Sequence, residues 1–251
     1  MYNEIFKIGF ISIHGYGLMI GIGILCALVI AGKRAKRKGL DADFVYSLGI
    51  VSLVFGFIGA KLLYCIVEIN AFLNDPMRIL SGNGFVLYGG IIGGILAAMI
   101  YCKFKRVSFL QYFDLTVPSV ALAQGFGRIG CFLAGCCYGR ETDSAIGIVF
   151  HNSPIAPNGV KLIPTQLFSS AGDFLVAIVL LVYARKDRKT GKVGALYLIF
   201  YSMGRFIIEF FRNDYRGSIG ILSTSQFISL IILVIGSLMF FMKELPWTNK
   251  E

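Results

Sequence analysis

Four arginines stand inside or at the ends of strongly apolar stretches of this sequence: Arg128, Arg140, Arg205 and Arg212. A guanidinium at membrane depth costs about 2.5 to 3.5 kcal/mol on insertion scales unless it faces a wet cavity or an anionic partner. The densest setting is the stretch from Gln124 to Arg140, QGFGRIGCFLAGCCYGR, which combines two arginines, five glycines and three cysteines. Glycines there let backbone approach a ligand and leave N–H groups for an oxyanion. Arg205 and Glu209, four residues apart, share one helical face with Tyr201, and Arg212 follows closely. An ion pair that orients helices would use one arginine; two arginines exceed what Glu209 neutralises. Guanidiniums converging at one end of a bundle suit a phosphate, to which each can donate two parallel hydrogen bonds. In a membrane the natural phosphate is a phospholipid headgroup, entering sideways while its acyl chains stay in an apolar groove.

The elements that must position these residues follow from composition. Of 251 residues, 56% are hydrophobic and 15% charged, and the mean hydropathy is +0.74. Such a chain is an integral membrane protein, and its long apolar runs suit helices rather than the short alternating strands of a barrel. The expected fold is all-α and polytopic, with about seven spans near 16–32, 44–67, 85–102, 108–136, 166–184, 193–211 and 223–242. The fourth is long for one crossing, so it is expected to tilt, break or continue above the membrane through its glycine-rich end. The stretch 69–84 is amphipathic, with Phe72, Leu73, Met77 and Ile79, and is expected along the interface. The basic loops Lys33–Lys38, Lys103–Arg106 and Arg185–Lys189 fall on one side with Lys243 and Lys250. The positive-inside rule makes that side cytoplasmic, which places the N-terminus outside and the C-terminus inside. The net charge of +10 mostly reflects these loops, so nucleic acid is not an expected partner and membrane lipid is. No cleavable signal peptide, repeat or soluble domain stands out, and one membrane domain is expected over 1–251.

The remaining chemistry-bearing residues each admit a plain reading as well. Lys61 is expected near the outer half of the second span, either snorkelling or meeting a headgroup. Cys131, Cys136 and Cys137 are open to three accounts: inert packing residues, a thiolate activated by Arg128 or Arg140, or a disulfide. On one continuous helix Cys131 and Cys136 would have Cα atoms about 8 to 9 Å apart, beyond bridging range, so a disulfide requires the helix to break at Gly135. Paired C-x-x-C elements are absent, so a structural zinc site is not expected; no metal and no cofactor are expected. Cys26, Cys65 and Cys102 read as packing residues. His14, beside Tyr16, could serve as a base or merely cap a span. The polar loop from Glu141 to Ile163, with His151, is either a lid or a connector.

In these residues the chain resembles the prolipoprotein diacylglyceryl transferase family. The resemblance runs through His14-Gly-Tyr-Gly-Leu-Met, Gly59-Ala-Lys-Leu-Leu-Tyr64, Tyr88-Gly-Gly-Ile-Ile-Gly-Gly94 and Asp114. It continues in Gly127-Arg-Ile-Gly130, Pro164-Thr-Gln-Leu-Phe168, Tyr201 through Arg212 and Thr224-Ser-Gln226. It implies a multi-pass protein of the bacterial cytoplasmic membrane whose active site faces outward. The implied reaction moves the diacylglyceryl group of phosphatidylglycerol, or a related anionic phospholipid, to the cysteine thiol of a secreted prolipoprotein, releasing glycerol phosphate. By similarity Arg128 and Arg205 stabilise the leaving group, Tyr16 and Tyr201 surround the headgroup, and Gln166 and Glu209 support them. Where the family usually has histidine before the paired glycines, this chain has Tyr88. Its usual signature, Gly-Arg-x-Gly-Asn-Phe-x-Asn-Gly-Glu-x-x-Gly-Arg, keeps Arg128, Gly130, Gly135, Gly139 and Arg140 here, but Cys131, Ala134 and Cys136 replace the two asparagines and the glutamate. The pattern is that of a divergent member or paralogue. A related enzyme with another extracytoplasmic acceptor, such as a glycan, and a non-catalytic lipid-binding protein stay open at this stage.

Overall fold

The computed structural model describes residues 4–8, 11–82, 84–213 and 217–242, and of 4–8, 11–13 and 218–219 only the backbone. Nine helices are found among them: α1 (Gly15–Arg37), α2 (Ala42–Val67), α3 (Ile69–Asn74), α4 (Pro76–Ser81), α5 (Leu87–Phe104), α6 (Phe109–Ala134), α7 (Thr165–Tyr183), α8 (Lys192–Glu209) and α9 (Thr224–Phe241). Three two-stranded antiparallel pairs complete the fold: Glu4–Ile8 with Ile11–His14, Ile148–Val149 with Lys161–Leu162, and Ser218–Ile219 with Leu222–Ser223. Helices α1, α2, α5, α6, α7 and α9 are long and apolar enough to cross a membrane. Their outward faces carry bare apolar side chains, among them Leu25, Phe57, Ile100, Leu175 and Phe241, a surface suited to lipid rather than water. This is an all-α polytopic membrane protein. The seventh expected span coincides with the helix α8, which is not among the six and carries Lys192, Arg205 and Glu209. The amphipathic stretch 69–84 folds as the short helices α3 and α4, neither with a buried residue. Lys243 and Lys250 lie outside the described residues.

The contacts divide into two compact units, residues 32–112 and the remainder of the chain. In the smaller unit, α2 packs on α5 through glycines. A Cβ on Gly59 would collide with the carbonyl oxygen of Gly89, and one on Gly89 with that of Gly59. Lipid supplies little hydrophobic drive for helix pairing, so backbone approach of this kind carries the contact.

The larger unit holds α7 to α9 and most of α1 and α6. Helix α6 has 26 residues, about 39 Å at the helical rise and therefore longer than the hydrocarbon core. It continues through Pro118 and the glycines 125, 127 and 130 as far as Ala134. Asp114, near its start, accepts hydrogen bonds from the N–H groups of Gly191 and Gly194, both at 2.6 Å. These satisfy donors at the N-terminus of α8 and favour its dipole. At the start of α9, Ser223 and Gln226 form a reciprocal capping box. At its end, the Lys192 ammonium donates to the carbonyls of Phe240 and Met242. These caps fix the ends of α8 and α9, the two helices that carry Arg205 and its hydroxyl partner.

Candidate active site

The end of α6 is built by one residue. Gly135 takes φ +73°, a left-handed conformation that glycine adopts without a Cβ penalty. Its N–H donates to the carbonyl of Phe132 and that of Cys136 to the carbonyl of Cys131, each at 3.1 Å. These two bonds form a Schellman turn, which folds the residue after the glycine back onto the last helical turn. Cys136 is thereby placed against Cys131, and its thiol also points to the Cys131 carbonyl at 3.7 Å. The helix does break at Gly135, as a close approach of these cysteines requires. The three sulfurs of Cys131, Cys136 and Cys137 lie within 4.8 Å of one another, half-buried and not joined in a disulfide.

The start of α7 holds this turn from the other side. Thr165 Oγ1 donates to the Cys137 carbonyl and Gln166 Nε2 to the Cys136 carbonyl, both at 2.7 Å. Gln166 is 1% exposed, and its Oε1 has no hydrogen-bond partner among the described residues. The Pro-Thr-Gln motif therefore braces the cysteine turn. Beyond it, Gly139 is wedged between Ile163 and Phe211, while the Arg140 N–H donates to Phe211 and its carbonyl accepts from Ile163, both at 2.9 Å. The Arg140 side chain is exposed. Gly139 pairs with Arg212, whose side chain is buried and interacts with Cys137. Hydrogen bonds from Cys131 and Cys136, together with Arg212, hold the Cys137 thiol well below the usual thiol range. The Cys136 thiol is pushed up by its hydrogen bonding to the other two sulfurs and by burial.

Arg128, one turn before Cys131, stands 3.9 Å from the carboxylate of Asp173 on α7. On α8, Arg205 Nη2 lies 2.8 Å from Glu209 and donates to Ser225 Oγ on α9 at 2.8 Å. The expected ion pair between Arg205 and Glu209 is thus present, but it does not use up the guanidinium. Arg205 Nη1 is buried without a hydrogen-bond partner among the described residues. Tyr201 stacks on Tyr197 with ring centroids 5.8 Å apart, and the Tyr197 hydroxyl donates to Gln124 Oε1 at 3.0 Å. The Tyr16 ring packs over Gly130, where a Cβ would stand 3.2 Å from it. Arg128, Tyr16, Gly130, the three cysteines, Gln166, Tyr201, Arg205, Glu209 and Arg212 all belong to the larger unit, as does the exposed His14.

Lys61 and Tyr88 belong to the smaller unit. Lys61 Nζ donates to the carbonyls of Gly82 at 2.6 Å and Gly84 at 3.3 Å, and lies over the Tyr64 and Phe85 rings. It closes the connection from α4 to α5. Tyr88 sits exposed in the first turn of α5.

The loop from Glu141 to Ile163 is more than a connector. Phe150, Ala156 and Leu162 bury themselves as a small core against Phe132, Tyr138 and Val160. A Cβ on Gly135 would run into the Ser153 hydroxyl, so the loop seats directly on the end of α6.

The sequence of this chain matches the family model described as prolipoprotein diacylglyceryl transferase over residues 3–242. The chain belongs to the prolipoprotein diacylglyceryl transferase family. It is 51% identical to the phosphatidylglycerol–prolipoprotein diacylglyceryl transferase of Clostridium tetani, over 94% of this chain and 95% of that protein. Two proteins of Clostridium perfringens are also similar. Its phosphatidylglycerol–prolipoprotein diacylglyceryl transferase 2 is 48% identical over 97% of this chain and 94% of that protein, and its transferase 1 is 37% identical over 92% and 90%. The family match runs through both compact units and through the cysteine turn. Reading the sequence alone misses Asp173 and Tyr197, and gives no role to Gln124 or Ser225 although both lie in stretches it singles out. Asp173 carried a signal, being a carboxylate inside an apolar span. The other three are ordinary polar residues whose partners come from distant segments.

Proposed function

We propose that this chain is a transferase that moves the diacylglyceryl group of phosphatidylglycerol to the cysteine thiol of a prolipoprotein and releases glycerol phosphate. Its relatives bear that activity in their names, and the observation that carries it here is Arg205. A buried guanidinium edge without a partner costs free energy, and a phosphate oxygen would remove that cost. Arg205 and Arg128 then receive the negative charge that grows on the phosphate as the carbon–oxygen bond breaks. Glu209, Ser225 and Asp173 orient the two guanidiniums. Tyr201 and Tyr16 flank the headgroup, with Gly130 leaving room for the Tyr16 ring, and Gln166, Gly139, Arg140 and Arg212 shape the end of the site. His14 is taken as a further headgroup or acceptor contact, whereas in the smaller unit Lys61 secures the connection from α4 to α5 and Tyr88 stays exposed in the first turn of α5. The site faces the outer side of the bacterial cytoplasmic membrane, with the basic loops inside.

The test is to incubate the purified protein with labelled phosphatidylglycerol and a peptide bearing a lipoprotein cysteine, and to follow both products by mass spectrometry. A thioether-lipidated peptide with glycerol phosphate in equal amount is expected. Lipid consumption with an unmodified peptide, or no turnover at all, would overturn the assignment.

A further inference from the structure

The cysteine turn supplies what the transfer reaction lacks, a group that makes the acceptor thiol nucleophilic. We propose that Cys131, Cys136 and Cys137 form a three-thiolate site for one thiophilic divalent cation of the zinc class, whose fourth tetrahedral position takes the acceptor thiol. This rests on the transferase assignment for the identity of the fourth ligand, though not for the metal site itself.

The geometry is close to that of a formed site. Tetrahedral zinc with sulfur ligands at about 2.3 Å has its sulfurs about 3.8 Å apart. The three sulfurs here lie within 4.8 Å of one another, so closure requires movements of about 1 Å or less. The spacing C-x4-C-C lacks the paired C-x-x-C elements of a structural zinc site, yet the fold brings the three sulfurs together. The left-handed Gly135 turn brings Cys136 back onto Cys131, and Cys137 follows at φ +63°, a conformation uncommon for a residue with a side chain. The backbone carrying two of the ligands is fixed from outside, by Gln166 on the Cys136 carbonyl and Thr165 on the Cys137 carbonyl. Such bracing is what orients metal ligands in general.

Charge and coordination number agree with an open site. Three thiolates on a divalent cation leave one net negative charge, and buried Arg212 stands beside Cys137 to balance it. Structural zinc sites use four protein ligands, whereas reactive ones keep three and leave a position free. Metal binding releases to solvent the protons that the cysteine thiols still carry. The acceptor thiol then binds as thiolate, giving up its own proton to solvent. Its sulfur attacks the glyceryl carbon, the carbon–sulfur bond forms as the carbon–oxygen bond breaks, and the phosphate leaves with the electron pair toward the arginines. No electrons are exchanged with any other group. The product thioether is a far weaker ligand than a thiolate, so it leaves.

The experiment uses the full chain, reduced and purified in detergent. Titration with zinc against a chromophoric chelator should show one ion per chain, and cobalt(II) should give tetrahedral bands with thiolate-to-metal charge transfer. Each of Cys131→Ser, Cys136→Ser and Cys137→Ser should weaken zinc binding by at least about 10–100-fold. Without lipid, a lipoprotein-type peptide with a free cysteine should shift the cobalt bands, and its serine analogue should not. A reduced wild-type chain that binds no zinc, that binds only copper(I), or that keeps its affinity through all three substitutions overturns the site. Cobalt bands unmoved by the thiol peptide overturn the activation step. Zinc binding and thiol ligation without a lipidated product would leave the metal site standing and remove the transferase assignment instead.

Discussion

Lys61 and Arg205 are both cations in apolar helices, yet their surroundings differ. The Lys61 ammonium is fully engaged by two carbonyls of its own unit and by two aromatic faces. Arg205 binds Glu209 and Ser225 and still has a buried nitrogen without a hydrogen-bond partner among the described residues. A cation whose donors are all used locally holds structure together, while one with donors to spare is poised for something not in the chain. The same distinction separates the two units. The smaller one is joined by bare backbone contact at Gly59 and Gly89; the larger one buries polar groups that its own packing does not fully satisfy.

The contrast is tested most strongly at Arg205. Arg205→Ala should lower turnover of phosphatidylglycerol by about 10²–10³-fold, the usual effect of removing one donor to a developing oxyanion. A rate within a few-fold of wild type, measured in the same lipid assay, would break the comparison at its centre. Gly59→Val should destabilise the smaller unit by about 1–3 kcal/mol, since the branched side chain meets backbone that cannot yield. The drop in midpoint of thermal unfolding in detergent reads this directly, and an unchanged midpoint would show that the glycine contact is not what joins α2 to α5. Replacing Gln166 by Leu leaves the Cys136 carbonyl without its donor and should cost about 1–3 kcal/mol of stability. Increased alkylation of the cysteine turn by a thiol reagent should accompany that loss, and unchanged labelling would count against bracing. Lys61→Met should have the smallest effect, less than about tenfold on turnover and about 1 kcal/mol on stability. A collapse in turnover with stability intact would move Lys61 from the structural side of the comparison to the substrate side.

Much of this was legible from residue types. The seven helices fall within a few residues of the apolar runs, because in lipid every backbone polar group must be satisfied within its own segment. The run 108–136 illustrates the margin: α6 ends at Ala134, just where Gly135 permits a left-handed turn. The arginines announced themselves by their cost in an apolar span. The partners of those arginines were less visible. Ser225 is one of many serines, and nothing in its neighbours points to a guanidinium 20 residues earlier on another helix.

The amino-acid sequence by itself determined that this chain is a helical membrane protein, where its long apolar helices lie and which cations must be accounted for. These follow from transfer free energy, which is a property of each segment alone. Only the tertiary structure decided which cation is saturated and which is left with a free donor. It also decided that Cys131, Cys136 and Cys137, spread over two turns of an imagined continuous helix, meet as one cluster. That outcome depends on left-handed backbone at Gly135 and Cys137 and on side chains from α7 that brace the turn, and neither is encoded in the spacing of the cysteines.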